Sequence, residues 1–198
     1  MDIKIQKPAG SPVERILAVA EDLFYRQGYR ATGVNEVIEK SGVAKATFYS
    51  HFPAKDDLAE AYLERARQEE LIYLARCLAA ETEPLGRFLS VVVSVGPWLI
   101  EHDFRGCPFI NMVSEVPEPD DRLVQVGRKL YAEVEARVKT LAEALIASDR
   151  ARYGHLDAGE VSRQYMVIVA GALALSGVHR ALWPAEDALN AVRRLVGA

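Results

Sequence analysis

Residues 28–55, GYRATGVNEVIEKSGVAKATFYSHFPAK, constrain the fold more tightly than any other stretch of the chain. Apolar residues recur at helical spacing on both sides of one glycine. Val34, Val37 and Ile38 precede Gly42, and Val43, Phe48 and Phe52 follow it. Each side is long enough for about two turns of helix. Gly42 falls where the chain must reverse, and a residue without a Cβ takes the left-handed backbone of such a turn at least cost. With those apolar side chains inward, the second helix keeps Lys45, Ala46, Thr47, Tyr49, Ser50 and His51 on its outer face, and Phe52-Pro53 ends it.

Two short helices with such a face imply a helix-turn-helix that lays its second helix in the major groove of DNA. Lys45 suits a guanine edge or a phosphate, and Thr47 a base, a phosphate or a thymine methyl. Tyr49 and His51 suit phosphate oxygens, small Ala46 permits close approach, and Ser50 shares the face. Lys55 opens the next helix, where unpaired N–H groups and the helix dipole add to its attraction for phosphate. A surface helical hairpin, with Tyr49 packed and Lys45 merely solvated, fits the same spacing.

The net charge of −4 and the pI near 5.7 do not mark a nucleic-acid binder. The charge is uneven, however. Between Arg26 and Lys55 the bases Arg26, Arg30, Lys40, Lys45 and Lys55 face only Glu36 and Glu39, a local balance of +3. That is a basic face on an acidic chain. Cys77 and Cys107 have no CxxC spacing and no ligand cluster beside them, so neither a disulfide framework nor a metal site is expected, and no cofactor is implied. MDIKIQKPAGSP lacks a signal-peptide core. Phe88–Ile100, broken by Gly96-Pro97, and Met166–Val178 both fall short of the about 20 residues a bilayer requires. Both are expected to be buried core helices of a cytoplasmic protein with no membrane partner.

Helical periodicity runs through the rest, with no strand-like alternation and no internal repeat. The expected fold is all-α, about nine helices, divided near residue 55. Ser11-Pro12-Val13-Glu14 caps a first helix with the stripe Val13, Ile16, Leu17, Ala20, Leu23 and Phe24. Gly33 and Glu36 supply half of a capping box for the second, 34–40; the third spans about 44–51. The fourth runs from Lys55 to about 80. A fifth covers about 84–100, with Pro97 expected to kink or end it by removing a bond to the Val93 carbonyl. Gly106-Cys107-Pro108 begins a short sixth. The loop VPEPDD (116–121) leads into a seventh, Asp157 caps an eighth reaching about 182, and Trp183-Pro184 separates it from a ninth, about 185–196.

Residues 12–58 resemble the DNA-binding domain of the TetR family of bacterial transcriptional repressors. The resemblance rests on GYRAT, Val37-Ile38, SGVAKATFYSHFPAK and Leu58, in content and spacing, near the start of a chain of about the family's length. It implies that residues 1–55 form the DNA-binding domain, that 56–198 form a helical effector-binding and dimerisation domain, and that helix 4 links the two. It places Lys45, Thr47, Tyr49, His51 and Lys55 at DNA contacts and Thr32 where the second helix meets phosphate. Gly33 stands where the family usually has Ser or Thr, Ala44 where Ser is common, and Ile38 where a small Ala is usual. Cap, phosphate and packing contacts at those positions are therefore in doubt.

The resemblance further implies a homodimer formed through the last two helices, a palindromic double-stranded operator, and release by a small-molecule effector. In Ala170–Trp183, Gly171, Ala174, Ser176 and Gly177 are small enough for close helix contact. Trp98, His102, Phe109, Tyr131 and Tyr165 offer apolar area with polar handles for an effector, and each reads equally well as core. Cys107, in FRGCPF near His102 and Arg105, reads either as a redox- or electrophile-sensing thiol or as a small packed side chain. A Cys107–His102 enzyme is the alternative from another class, without an oxyanion donor set or phosphate loop to accompany it. An all-α carrier that has lost DNA binding is a third, opposed by the intact Lys45, Thr47, Tyr49 and Lys55.

Overall fold

The structure is a computed structural model that describes residues 10–116, 118 and 121–198. Residues 1–9 of the amino-terminal stretch and residues 117, 119 and 120 of the VPEPDD loop lie outside those residues. Among the described residues every regular element is a helix: α1 Pro12–Arg26, α2 Val34–Ser41, α3 Lys45–His51, α4 Lys55–Ala79, α5 Pro84–Val93, α6 Val95–Glu101, α7 Pro108–Glu115, α8 Arg122–Ser148, α9 Arg150–Tyr153, α10 Ala158–His179 and α11 Trp183–Leu195. The all-α expectation holds, with eleven segments in place of about nine.

Two departures account for the difference. The expected fifth helix is broken at Ser94 into α5 and α6. Ser94 N–H still reaches the Ser90 carbonyl at 3.0 Å and Trp98 N–H the Ser94 carbonyl at 3.2 Å. Pro97 has no N–H for the Val93 carbonyl, so the break falls at the acceptor, one turn before the proline. The single turn α9 is capped by Asp149, which accepts from Arg152 N–H at 3.1 Å. Trp183-Pro184 also differs: it forms the first turn of α11, where a missing N–H costs nothing, instead of a separator.

The helices pack as two compact units. One comprises the described residues of Met1–Arg67 and Pro108–Gly127, and so takes in the first half of α4, α7 and the start of α8. Its core joins Ile16, Leu23 and Phe24 of α1 to Val37, Phe48, Leu58, Leu63, Met112 and Leu123, all buried. The capping box of α1 forms as read: Glu14 N–H donates to Ser11 Oγ at 3.3 Å and Ser11 N–H to Glu14 Oε2 at 2.7 Å.

The second unit comprises Gln68–Cys107 and Arg128–Ala198. Leu74, Phe88, Val92, Leu99, Val138, Leu145, Tyr165 and Val192 are buried in it. Asp157 caps α10 through Glu160 N–H at 2.7 Å, as the sequence indicates. After α6 the chain turns through Asp103 (φ 51) and Phe104 (φ 56), held by Phe104 N–H on the Leu99 carbonyl at 2.8 Å.

The expectation that Met166–Val178 is buried core is corrected. Val167 and Val178 of α10 are 73% and 75% exposed, and Leu175 and Trp183 also face outward. Only α10 among the described helices is long and apolar enough to cross a membrane by length and composition.

Candidate nucleic-acid interface

The turn between α2 and α3 is built as the glycine requires. Gly42 adopts φ 64, ψ 28, and its N–H is shared between the carbonyls of Ile38 at 3.1 Å and Glu39 at 3.2 Å. Beside it Ser41 is fully buried and donates to the Ile38 carbonyl at 3.2 Å. Phe48 is fully buried, with Phe52 beside it at a ring separation of 6.1 Å. These contacts fix α3 against the unit from one side only. Val34, Ile38 and Val43 are only half-buried.

The opposite side of α3 carries the expected face. Lys45, Ala46, Tyr49, Ser50 and His51 are exposed and Thr47 is half-buried. Tyr49 stands edge-on to Phe48 at 5.3 Å, and Lys45 Nζ lies 6.0 Å from the Tyr49 ring. The phenol is thus braced at its base while its hydroxyl end reaches solvent. Ser50 Oγ donates to the Thr47 carbonyl at 2.7 Å, leaving its lone pairs but not its proton for a ligand.

Two expected features differ. Thr32 is buried, and its hydroxyl donates to the Gly28 carbonyl at 2.8 Å. Its side chain braces the loop before α2 and has no reach to a phosphate. The half capping box of Gly33 and Glu36 does not form either. Gly33 has no side chain to reciprocate, and Glu36 Oε1 instead meets Lys40 Nζ at 2.9 Å and Gln27 Nε2 at 3.2 Å. Lys40 and then Gln27 hold its carboxyl below the usual range.

Lys55 is half-buried, with Nζ 4.3 Å over the ring of Tyr29. Burial lowers its pKa, against the charges of Asp56 and Glu115. The Tyr29 hydroxyl in turn donates to Asp56. Lys55 therefore presents its charge from a fixed aromatic seat.

Two residues that sequence reading passed over hold this face in place. Glu115, at the end of α7, accepts Tyr29 N–H on Oε1 at 3.1 Å and Arg30 N–H on Oε2 at 2.7 Å. Arg122, at the start of α8, donates to Asp57 Oδ1 at 2.7 Å and lies 3.1 Å from Glu60 Oε2. Asp57 also accepts Ala54 N–H at 2.8 Å, capping α4. The groups they hydrogen-bond lie 65 to 86 positions away in the chain, so no local pattern announces them.

In the second unit, the proposed effector residues divide. The Trp98 and His102 rings stack at 4.3 Å, and His102 Nδ1 lies 2.8 Å from the Trp98 carbonyl. Tyr131 donates to Cys107 Sγ at 3.6 Å, and neither Cys77 nor Cys107 is in a disulfide. Tyr165 is corrected to a structural role. It is completely buried; its hydroxyl accepts Val92 N–H at 2.8 Å and donates to the Phe88 carbonyl at 3.1 Å. Phe109 belongs to the first unit, where it is buried on α7. Glu70 was also passed over. It continues the inward stripe of α4, three and four residues before Tyr73 and Leu74, a position where an acid is out of place.

A braced second helix, a glycine turn and an open polar face define a helix-turn-helix reading head. Residues 16–62 match the model of the tetR family of bacterial regulatory proteins. Over 126 residues, 63% of this chain and 67% of the relative, the sequence is 29% identical to the HTH-type transcriptional regulator LmrA of Bacillus subtilis. Over 173 residues, 87% of this chain and 72% of the relative, it is 27% identical to the HTH-type transcriptional activator FasR of Mycolicibacterium smegmatis. A solved TetR-family regulator from Streptomyces coelicolor superposes with a TM-score of 0.83 at 25% identity, covering 93% of this chain and 94% of the other. The chain belongs to the TetR family of helix-turn-helix transcriptional regulators.

Proposed function

We propose that this regulator binds a palindromic operator as a homodimer, reading each half-site with α3, and lets go when a small molecule occupies its second unit. The observation that carries the reading is the free face of Lys45, Ala46, Tyr49, Ser50 and His51 on a helix pinned from behind by Phe48 and Phe52. Lys45 and Thr47 serve base edges or phosphates, and Tyr49, Ser50, His51 and Lys55 phosphates.

The exposed residues of α10 support the dimer. Val167, Ala174 with Leu175, and Val178 recur at helical spacing on one side, with half-buried Gly171 between them, where a side chain's Cβ would meet nothing within 4 Å. An apolar helix face of that kind calls for a partner. A two-fold axis through α10 and α11 would set the two α3 helices on half-sites about 34 Å apart.

Repression then needs occupancy of the operator and no chemistry. A hundredfold release requires about 2.7 kcal/mol of coupling between effector and DNA. Trp98, His102 and Tyr131 are the residues kept for the effector, and α4 is the lever, since its one continuous helix has residues in both units. FasR is named an activator, so the sign of regulation is part of the test.

The experiment is a gel shift on the intergenic DNA beside the gene, followed by transcription in vitro from the same fragment. Wild type binds and reduces transcription. Lys45→Ala with Tyr49→Phe loses about a hundredfold in affinity with circular dichroism and dimer mass unchanged. Normal binding by the double variant overturns the contact assignment.

A further inference from the structure

The bases between Arg26 and Lys55 are not equally available once the chain has folded. Arg26 is held by Asp22 at 2.6 Å and Lys40 by Glu36 at 2.9 Å, each one turn away on its own helix. Lys55 rests over Tyr29, and Lys45 is exposed on α3. The remaining base is Arg30. It is exposed, and its side chain makes no hydrogen bond or ion pair among the described residues.

The backbone of Arg30, by contrast, is fixed. Glu115 takes its N–H at 2.7 Å and that of Tyr29 at 3.1 Å. Both carboxylate oxygens are thereby occupied by amides, and the guanidinium stays uncompensated. Tyr29 carries the Lys55 ammonium 4.3 Å over its ring, so one carboxylate and one ring tie Arg30 and Lys55 to the same patch. The loop they border is where a phosphate contact was expected and is missing: Thr32 turns inward to the Gly28 carbonyl, and Gly33 has no side chain. A Cβ added at Gly33 would meet nothing within 4 Å, so the ground in front of the loop is open. A guanidinium on a fixed backbone loses only side-chain freedom on meeting an anion. Its planar fork fits two phosphate oxygens at once, where lysine offers a point charge.

We propose that Arg30 grips a backbone phosphate of the DNA alongside Lys55, in place of the contact that Thr32 does not make. Such a contact carries no base information; it fixes the register in which α3 meets the groove. The proposal deepens the operator-binding reading and rests on it only for there being duplex DNA to grip, not for the sequence that is read.

The test is the salt dependence of binding by the full chain, measured by fluorescence anisotropy on the intergenic fragment and on a random duplex of equal length. Each phosphate contact contributes about 0.9 to the slope of log affinity against log salt. Arg30→Gln is expected to lower the slope by about 0.9 for each bound subunit on both duplexes, and to weaken binding by at least about tenfold at low salt. The ratio of the two affinities should stay as in wild type, since a phosphate contact acts on every sequence alike. Arg30→Lys should restore most of the slope, and thermal unfolding should not move. Lys139→Gln, the same loss of charge at an exposed position of α8 in the second unit, should keep the wild-type slope. An unchanged slope in Arg30→Gln, or an equal fall in Lys139→Gln, overturns the proposal. A fall confined to Arg30→Gln, with a wild type that binds both duplexes equally, upholds the contact while defeating operator recognition. A wild type that prefers the intergenic fragment, with an unchanged Arg30→Gln slope, does the reverse. A wild type that binds neither duplex defeats both.

Discussion

Glu115 grips Arg30 by its backbone: Oε2 accepts the Arg30 N–H at 2.7 Å while Oε1 takes the N–H of Tyr29 at 3.1 Å. A carboxylate on two successive amides fixes the loop that leads into α2. Gly28 makes the approach possible, since its φ is +100 and a Cβ there would stand 2.6 Å from Glu115 Oε1.

Glu115→Gln keeps the shape but loses the charge and one of two acceptors, and should cost about 1–2 kcal/mol of stability. Gly28→Ala should cost more, because left-handed strain and the clash with the carboxylate act together. Denaturant unfolding of both variants measures the order. A Gly28→Ala protein as stable as wild type would remove the argument for the close approach.

Tyr165 joins α10 to α5 by bridging two groups that a regular helix pairs with each other, the Val92 N–H and the Phe88 carbonyl. Tyr165→Phe keeps the ring, which packs edge-on to Phe88 at 5.2 Å, but removes the bridge. The expected loss is about 1–2 kcal/mol, lowering Tm by roughly 2–6 °C. Hydrogen exchange at Val92 should speed up while α3 exchanges as before. An unchanged Val92 rate would mean that α5 closes its own ladder.

Glu70 gives stability a dependence on pH whose sign follows from burial. Burial raises its folded pKa to about 7, from the ordinary carboxylate value of 4.5. The folded chain therefore holds a proton that the unfolded chain releases, and stability falls as pH rises from about 4.5 to about 7. Tyr73, pushed up to about 12, and Tyr131, raised further by burial, stay neutral across that window. Glu70→Gln removes this dependence. It should be more stable than wild type at pH 8, on the order of 2 kcal/mol, and nearly equal at pH 4.5. Thermal unfolding at the two values decides it: a constant difference would show that the carboxyl is not enclosed.

The α10 face supplies a test of assembly. Val178→Glu places a charge where the side chain is already 75% exposed in one copy, so a single chain should fold as before. In a dimer through that face the two carboxylates would be buried together, at a cost of several kcal/mol. Sedimentation should show wild type as a dimer and the variant as a monomer, with operator binding lost alongside. A dimeric variant would place the interface elsewhere.

Local physics made much of this molecule legible in advance. The capping box at Ser11, the cap at Asp157, the left-handed turn at Gly42 and the inward phenylalanines of α3 depend on neighbours a few residues away. Their spacing alone carries the information, and the outer face of α3 follows by subtraction. Thr32 failed as a side-chain contact because a hydroxyl four residues from an open carbonyl turned inward, a choice settled by burial. Glu36 failed as a cap because charged and amide partners outside the box offered more than a bare glycine.

What the chain's order of residues determined by itself was the helices and the polarity of the reading face, since both repeat at 3.6 residues. Tertiary structure alone decided which distant groups meet: Glu115 with the Tyr29 and Arg30 amides, Arg122 with Asp57, and Tyr165 with α5. Those outcomes depend on which helices share an interior, and the spacing along any one helix is silent about that.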